Sequence, residues 1–245
     1  MDTIILGNGG LGHAIDEAFR ARGDRTRLIG RPLGGRHDPA TLAGAEVVID
    51  SSAAEAVALN VEAGVLAGCR RFVIATTGWQ AEARRVAATL ERAGAAAVVA
   101  PNLAIGSAVF LRLVDEAARL FASLADFEPY VLEWHRRTKA DRPSGTAREI
   151  VRRIASHGGT DEPEVAVIRA GAAPGMHLVG FDAPSETIEL RLTARDRSGY
   201  AAGALAAADW LLAIPRAPGI HPFDRVVDEL LAAPPAGGRV VVTAA

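Results

Sequence analysis

Apolar residues follow two rhythms along this chain. Through residue 100, short aliphatic and β-branched runs at residues 3–6, 26–29, 46–49, 71–75 and 96–100 show no polar alternation. Amphipathic stretches separate most of them, from the first run to about residue 22, at 53–66 and at 80–93, with Gly94 where a helix C-cap would fall. Unalternating strands between helices predict a parallel sheet covered on both faces. Beyond Pro101-Asn102 the order changes to a helix at 105–123, a strand at 130–136, a helix at 144–157 and strands at 165–170, 177–181 and 187–194. In the last strand Ile188, Leu190, Leu192 and Ala194 alternate with polar residues, the period-two mark of a sheet with one wet or partner-facing side. A helix at 200–214 stops at Pro215, and the tail ends in Val240-Val241-Val242, read as a late edge strand. The expected fold is α/β at the N-terminus followed by α+β, with a boundary near residue 102.

Composition narrows the class. The 245 residues carry 27 basic and 29 acidic side chains, a formal net charge of -2, which points to neither a nucleic-acid nor an anionic membrane partner. One cysteine, Cys69, cannot pair within the chain and reads as a packed small apolar residue in a reducing compartment. Met1-Asp2-Thr3 enters the first strand without the basic flank of a leader, and charges and glycines break every apolar run before the roughly 18 residues of a membrane span. The expectation is a soluble cytoplasmic protein. Its basic residues include a single lysine, Lys139; the other 26 are arginine.

Gly7-Asn8-Gly9-Gly10-Leu11-Gly12 places the pattern Gly-x-Gly-x-x-Gly between a strand and a helix. The glycines permit a tight turn and close approach of a pyrophosphate, to which the helix start offers N–H donors, so the turn predicts dinucleotide binding. At the end of the second strand stands Gly30-Arg31-Pro32, with no carboxylate for a ribose hydroxyl. Arg31 suits a 2′-phosphate and favours NADPH over NADH. Ala75-Thr76-Thr77-Gly78 and Ala100-Pro101-Asn102 follow the fourth and fifth strands, where open α/β sheets bind ligands. The densest polar segment runs from Glu133 to Ala147 through His135, Arg136, Lys139, Asp141 and Ser144-Gly145-Thr146. His135 and Lys139 can each carry a proton, and a helix beginning Ser-Gly-Thr suits a carboxylate. A capped helix behind a solvated basic loop reads equally well at this point. His13, His37, His157 and His221 lack partners at ligand spacing, so no metal site is predicted.

The segment Glu133-x-His135-x-x-x-Lys139-x-Asp141-x-Pro143-Ser144-Gly145-Thr146-Ala147 resembles the signature of the dihydrodipicolinate reductase family. The glycine turn, Thr76-Thr77-Gly78, Ala100-Pro101-Asn102-x-x-Ile105-Gly106, Arg169-x-Gly171, Gly175-x-His177 and Arg195-x-Arg197 match in family order. The resemblance implies a Rossmann domain over residues 1–102, completed by 215–245, and a central domain over 103–214 that binds substrate and builds a homotetramer through its sheet. It implies NADPH- or NADH-dependent reduction of 4-hydroxy-tetrahydrodipicolinate, a cyclic imine dicarboxylate, in lysine and diaminopimelate biosynthesis. Carried over by position, His135 is the proton donor or acceptor, Lys139 the proton donor, and Gly145 and Thr146, with Ser144 and Arg136, the substrate contacts. Thr77 falls where cofactor meets substrate, and Ser51, Ala75, Thr76, Ala100, Asn102 and Leu103 join the glycine turn and Arg31 around the cofactor. Arg136 replaces the usual second histidine, Arg142 an alanine and Ser51 an aromatic residue. These departures imply stronger carboxylate binding or a different substrate. A paralogue reducing another amino-acid-derived imine and a non-catalytic NADPH sensor are the alternative readings.

Overall fold

Six short strands, one more than the sequence pattern contains, line up as a parallel sheet in the order β10-β5-β4-β3-β1-β2. The strands are β1 (Asp2–Leu6), β2 (Arg25–Ile29), β3 (Val47–Asp50), β4 (Arg71–Ile74), β5 (Ala96–Val99) and β10 (Gly219–Pro222). This computed structural model describes residues 1–32, 35–158 and 162–232, so the expected strand at Val240–Val242 lies outside the described residues. Two units divide the chain, Met1–Ile105 with Arg197–Ala245, and Gly106–Asp196.

In the first unit β1, β3, β4 and β5 are nearly all buried, as sheet strands covered on both faces must be. Helices α2 (Val57–Leu66) and α3 (Ala83–Ala93) pack on one face and α1 (Gly10–Ala21) and α6 (Ser198–Ala213) on the other. Short 3-10 turns precede α2 and α3, and Gly94, at φ +62°, ends α3 in the left-handed region. The return to this unit begins at Arg197, not at residue 215. The cause is α6 itself, whose Ala201, Gly203, Ala204, Ala207, Ala208 and Leu211 are all buried. It packs against α1, β4 and β5, and so belongs to the parallel sheet. Helix α7 (Phe223–Ala232) closes the unit beside α6 and β10.

The second unit is a four-stranded mixed sheet, β7-β6-β8-β9. Its strands are β6 (Glu128–His135), β7 (Glu164–Arg169), β8 (Met176–Ala183) and β9 (Glu186–Thr193), with β6 and β7 parallel and the other pairs antiparallel. Helices α4 (Ile105–Phe121) and α5 (Gly145–Ser156) give Phe110, Val114, Ile150 and Ile154 to a core shared with Val131, Val179 and Phe181. Trp134 and Ile168, paired across β6 and β7, are 40% and 41% exposed on the opposite face. Among the described residues, no helix is long and apolar enough to cross a membrane.

Candidate functional site

Parallel strands of one sheet share a carboxyl edge, and where the chain leaves β1 in opposite directions that edge splits into a crevice. Here the crevice lies between β1 and β3, and a cleft of ≈ 220 Å³ there is lined by Gly7, Asn8, Gly9, Arg31 and Ser51, among others. These five are sequence-predicted cofactor contacts. Gly10, Leu11 and Gly12 begin α1 beside it. Gly7 has φ +105°, and a Cβ on Gly12 would fall 1.8 Å from the Gly7 carbonyl oxygen, so the turn closes only because both are glycine. Ala75, Thr76 and Thr77 follow β4, and Ala100, Asn102 and Leu103 follow β5; all lie outside the cleft on the same sheet edge. Thr76 and Leu103 are buried, and the Thr76 hydroxyl donates to Asp50 at 2.7 Å.

Sequence reasoning missed Asp50, which braces Ser52 and Asn60 of the cleft's lining. Asp50 is 3% exposed, and its carboxylate accepts from Ser52, Asn60 and Thr76. The visible signal was a carboxylate closing the otherwise apolar run Val-Val-Ile-Asp. His37 also lines the cleft, and burial, opposed by the Asp50 charge, pushes its pKa below the usual histidine range.

The amino end of α1 is prepared for an anion. Its N-cap, Gly9, supplies no side-chain cap, and no acidic residue stands in the first turn. Over it lies Arg197, whose Nη1 would be 1.8 Å from a Cβ on Gly10. A guanidinium against the positive end of a helix is repelled unless an anion lies between them. A dinucleotide pyrophosphate meets that requirement, so the residues present fit the group. Arg31, 80% exposed at its side chain, lies 3.7 Å from Glu55.

In the second unit, alternation along β6 turns Val131, Glu133 and His135 inward. Register sets His177 of β8 beside Glu133 and Arg169 of β7 beside His135. The fully buried Glu133 carboxylate accepts from Arg169 Nη2 at 2.6 Å and from the Ser144 N–H at 3.0 and 3.2 Å. Burial pushes the Glu133 pKa up, but the Ser144 and Arg169 hydrogen bonds outweigh it and hold the carboxyl below its usual range. His135 Nδ1 and His177 Nε2 each lie 3.6 Å from Glu133 Oε2. Burial, before any charge, pushes both histidines down, His177 to about 4, so both are neutral at neutral pH. Glu133, His135 and His177 offer atoms within 4.8 Å of one another, a spacing that suits a metal. The Glu133 carboxylate, however, already has a cation in Arg169.

Ser144 is the N-cap of α5, and its hydroxyl accepts from the Ala147 N–H and bonds His177 Nε2 at 3.1 Å. With its N–H on Glu133 and 2% exposure, Ser144 is committed to positioning other groups. Gly145, Thr146, Arg136 and Lys139 remain accessible around it. Lys139 Nζ pairs with Asp141 at 2.7 Å. A Cβ on Gly175 would approach the His135 ring to 3.2 Å, so a glycine there leaves the ring its room.

Two family models meet end to end along this chain, the dihydrodipicolinate reductase N-terminus over residues 6–103 and C-terminus over 106–227. The chain belongs to the dihydrodipicolinate reductase family. It is 36% identical to a 4-hydroxy-tetrahydrodipicolinate reductase of Methanoregula boonei, covering 74% of each chain. It is 35% identical to the protein of that name from Methanospirillum hungatei, covering 75% of this chain and 76% of that one. A solved dipicolinate-bound dihydrodipicolinate reductase from Paenisporosarcina sp. TG-14 shares the fold, with TM-score 0.72, 16% identity and 91% and 97% coverage. An amine dehydrogenase from Mycobacterium smegmatis follows the same chain path more loosely, with TM-score 0.57, 10% identity and 92% and 95% coverage. Family membership makes this chain a nicotinamide-dependent oxidoreductase.

Proposed function

We propose that this chain reduces 4-hydroxy-tetrahydrodipicolinate with NADPH, the step its relatives are named for and one that serves lysine and diaminopimelate biosynthesis. The observation that carries the reading is the joint presence of Lys139, His135 and the open start of α5 around one buried carboxylate, Glu133. A protein that only sensed NADPH would have no use for that set. When bound, the nicotinamide supplies a hydride. The Gly7–Gly12 turn and Arg197 hold the pyrophosphate, and Arg31 reads a 2′-phosphate, which is the basis for preferring NADPH.

On the substrate side, Gly145, Thr146 and Arg136 bind carboxylate, Arg136 in the bidentate manner its planar group allows. Loss of the 4-hydroxyl as water makes the imine conjugated, hydride addition to the conjugated system then leaves electron density on nitrogen, and Lys139 delivers the proton that quenches it. His135, neutral at working pH, accepts or relays a proton, and Glu133, 3.6 Å from its Nδ1, steadies the ring as it charges. Arg136 and Arg142 add cations that suit a substrate with two carboxylates. The outer face of the second sheet, with Trp134 and Ile168, fits a homotetramer interface, and the protein is read as cytoplasmic.

The test is direct. Hydroxytetrahydrodipicolinate generated enzymatically and supplied with NADPH should be consumed with loss of nicotinamide absorbance, and NADH should serve less well. Negligible turnover alongside tight NADPH binding would overturn the reading. Arg197→Gln should weaken NADPH binding about ten-fold in a fluorescence titration and flatten its salt dependence, because one phosphate contact is lost. Unchanged affinity would remove Arg197 from the pyrophosphate site.

A further inference from the structure

In the reading above a substrate carboxylate rests at the amino end of α5, next to the Lys139 cation, yet a carboxylate of the chain already holds that place. Asp141 lies 2.7 Å from Lys139 Nζ and also faces the Gly145 N–H, at the first residue of α5. The backbone beneath it is anchored, because the Asp141 carbonyl accepts from the buried Arg169 Nη2 at 2.6 Å, and Arg169 is tied in turn to Glu133. The side chains above it are open, 29% exposed for Lys139 and 41% for Asp141. An ion pair this accessible is weak enough to be exchanged for a ligand carboxylate.

We propose that Asp141 is an internal stand-in for the substrate carboxylate, holding Lys139 and the start of α5 until the ligand displaces it. The inference rests on the substrate reading above. Exchanging one carboxylate for another on Lys139 gains little by itself, so net affinity must come from contacts that Asp141 cannot make. A ligand with a second carboxylate has such a contact available at Arg136 or Arg142, and one with a single carboxylate does not. Asp141 therefore acts as a positioning residue that sets a threshold on affinity, one that a second carboxylate contact lets a ligand pass.

Calorimetric titration of the full-length chain with dipicolinate, a planar dicarboxylate, and with picolinate, its monocarboxylate counterpart, tests this. Asp141→Asn keeps shape and removes charge. It should bind dipicolinate at least five-fold more tightly than the parent, and picolinate should gain by a similar factor, because either ligand displaces the same carboxylate. In a Lys139→Ala background the same substitution should raise affinity by a smaller factor, since the contested cation is gone and only the Gly145 N–H is still contested. Unchanged or weaker dipicolinate binding by a folded Asp141→Asn chain would overturn the proposal, because Asp141 would then be arranging Lys139 for the ligand. If the asparagine variant does not fold, Asp141→Ser is read by the same criteria. Failure of both parent and variant to bind dipicolinate removes the substrate reading and the stand-in with it. A parent that binds and a variant that gains nothing removes the stand-in alone.

Discussion

Lys139→Arg is expected to lower turnover by about 10²–10³-fold while NADPH affinity stays within about two-fold. Arginine keeps the positive charge, so the pair with Asp141 and the attraction for a substrate carboxylate both persist. What it cannot do is give up a proton near neutral pH, because a guanidinium holds its proton to about pH 12 or beyond. The expected loss corresponds to about 3–4 kcal/mol of barrier, in the range of a general acid removed from a site that still binds and orients. Steady-state rates and a fluorescence titration of NADPH on the same preparation separate the two quantities. Near-parental turnover would reduce Lys139 to a carboxylate clamp. The sequence makes the case sharper than the geometry alone: the chain uses arginine at every other basic position, and its one lysine stands in this loop.

Local patterns carried much of the fold. The glycine turn, the short apolar runs and the Gly94 cap act within a few residues of themselves, so they were readable without knowing what lay across the sheet. β10 was not, since its four residues, Gly-Ile-His-Pro, include two that disfavour strands, and only the neighbouring β5 makes them one. The apolar circumference of α6 said that it is buried, not which sheet buries it. The site divides in the same way. His135, Lys139 and the start of α5 are contiguous in sequence, and a motif could name them. Glu133, Arg169 and His177 come from β6, β7 and β8 and meet only through strand register, a property of pairs of segments. Ser144 shows a further limit, since capping a helix and binding a carboxylate call for the same small hydroxyl residue at a helix start. The same register that hid this cluster makes its central carboxylate a sensitive point.

Glu133→Gln should destabilise the chain by about 3–5 kcal/mol at pH 7, which lowers the unfolding midpoint by about 10 °C. Glutamine preserves shape and can still accept from the Ser144 N–H, so neither a cavity nor a lost cap explains the loss. Its cause is Arg169, whose side chain is wholly buried and would have no opposing charge. Adding Arg169→Met to Glu133→Gln should therefore restore more than half of the loss, an outcome that a simple packing defect would not give. The pH dependence has a definite sign. Burial alone would raise the Glu133 pKa, but its Ser144 and Arg169 hydrogen bonds set it below the unfolded value, so the carboxylate's contribution is fully present above about pH 4.5. As pH falls through the lower folded value the parent loses that contribution, while the glutamine variant has none to lose, so the two stabilities converge. Urea unfolding of both chains at pH 7 and near pH 3 measures the difference directly. A gap under about 1 kcal/mol at pH 7 would mean that the Arg169 cation is satisfied without Glu133, by the carbonyls of Ile168 and Asp141 that already accept from it.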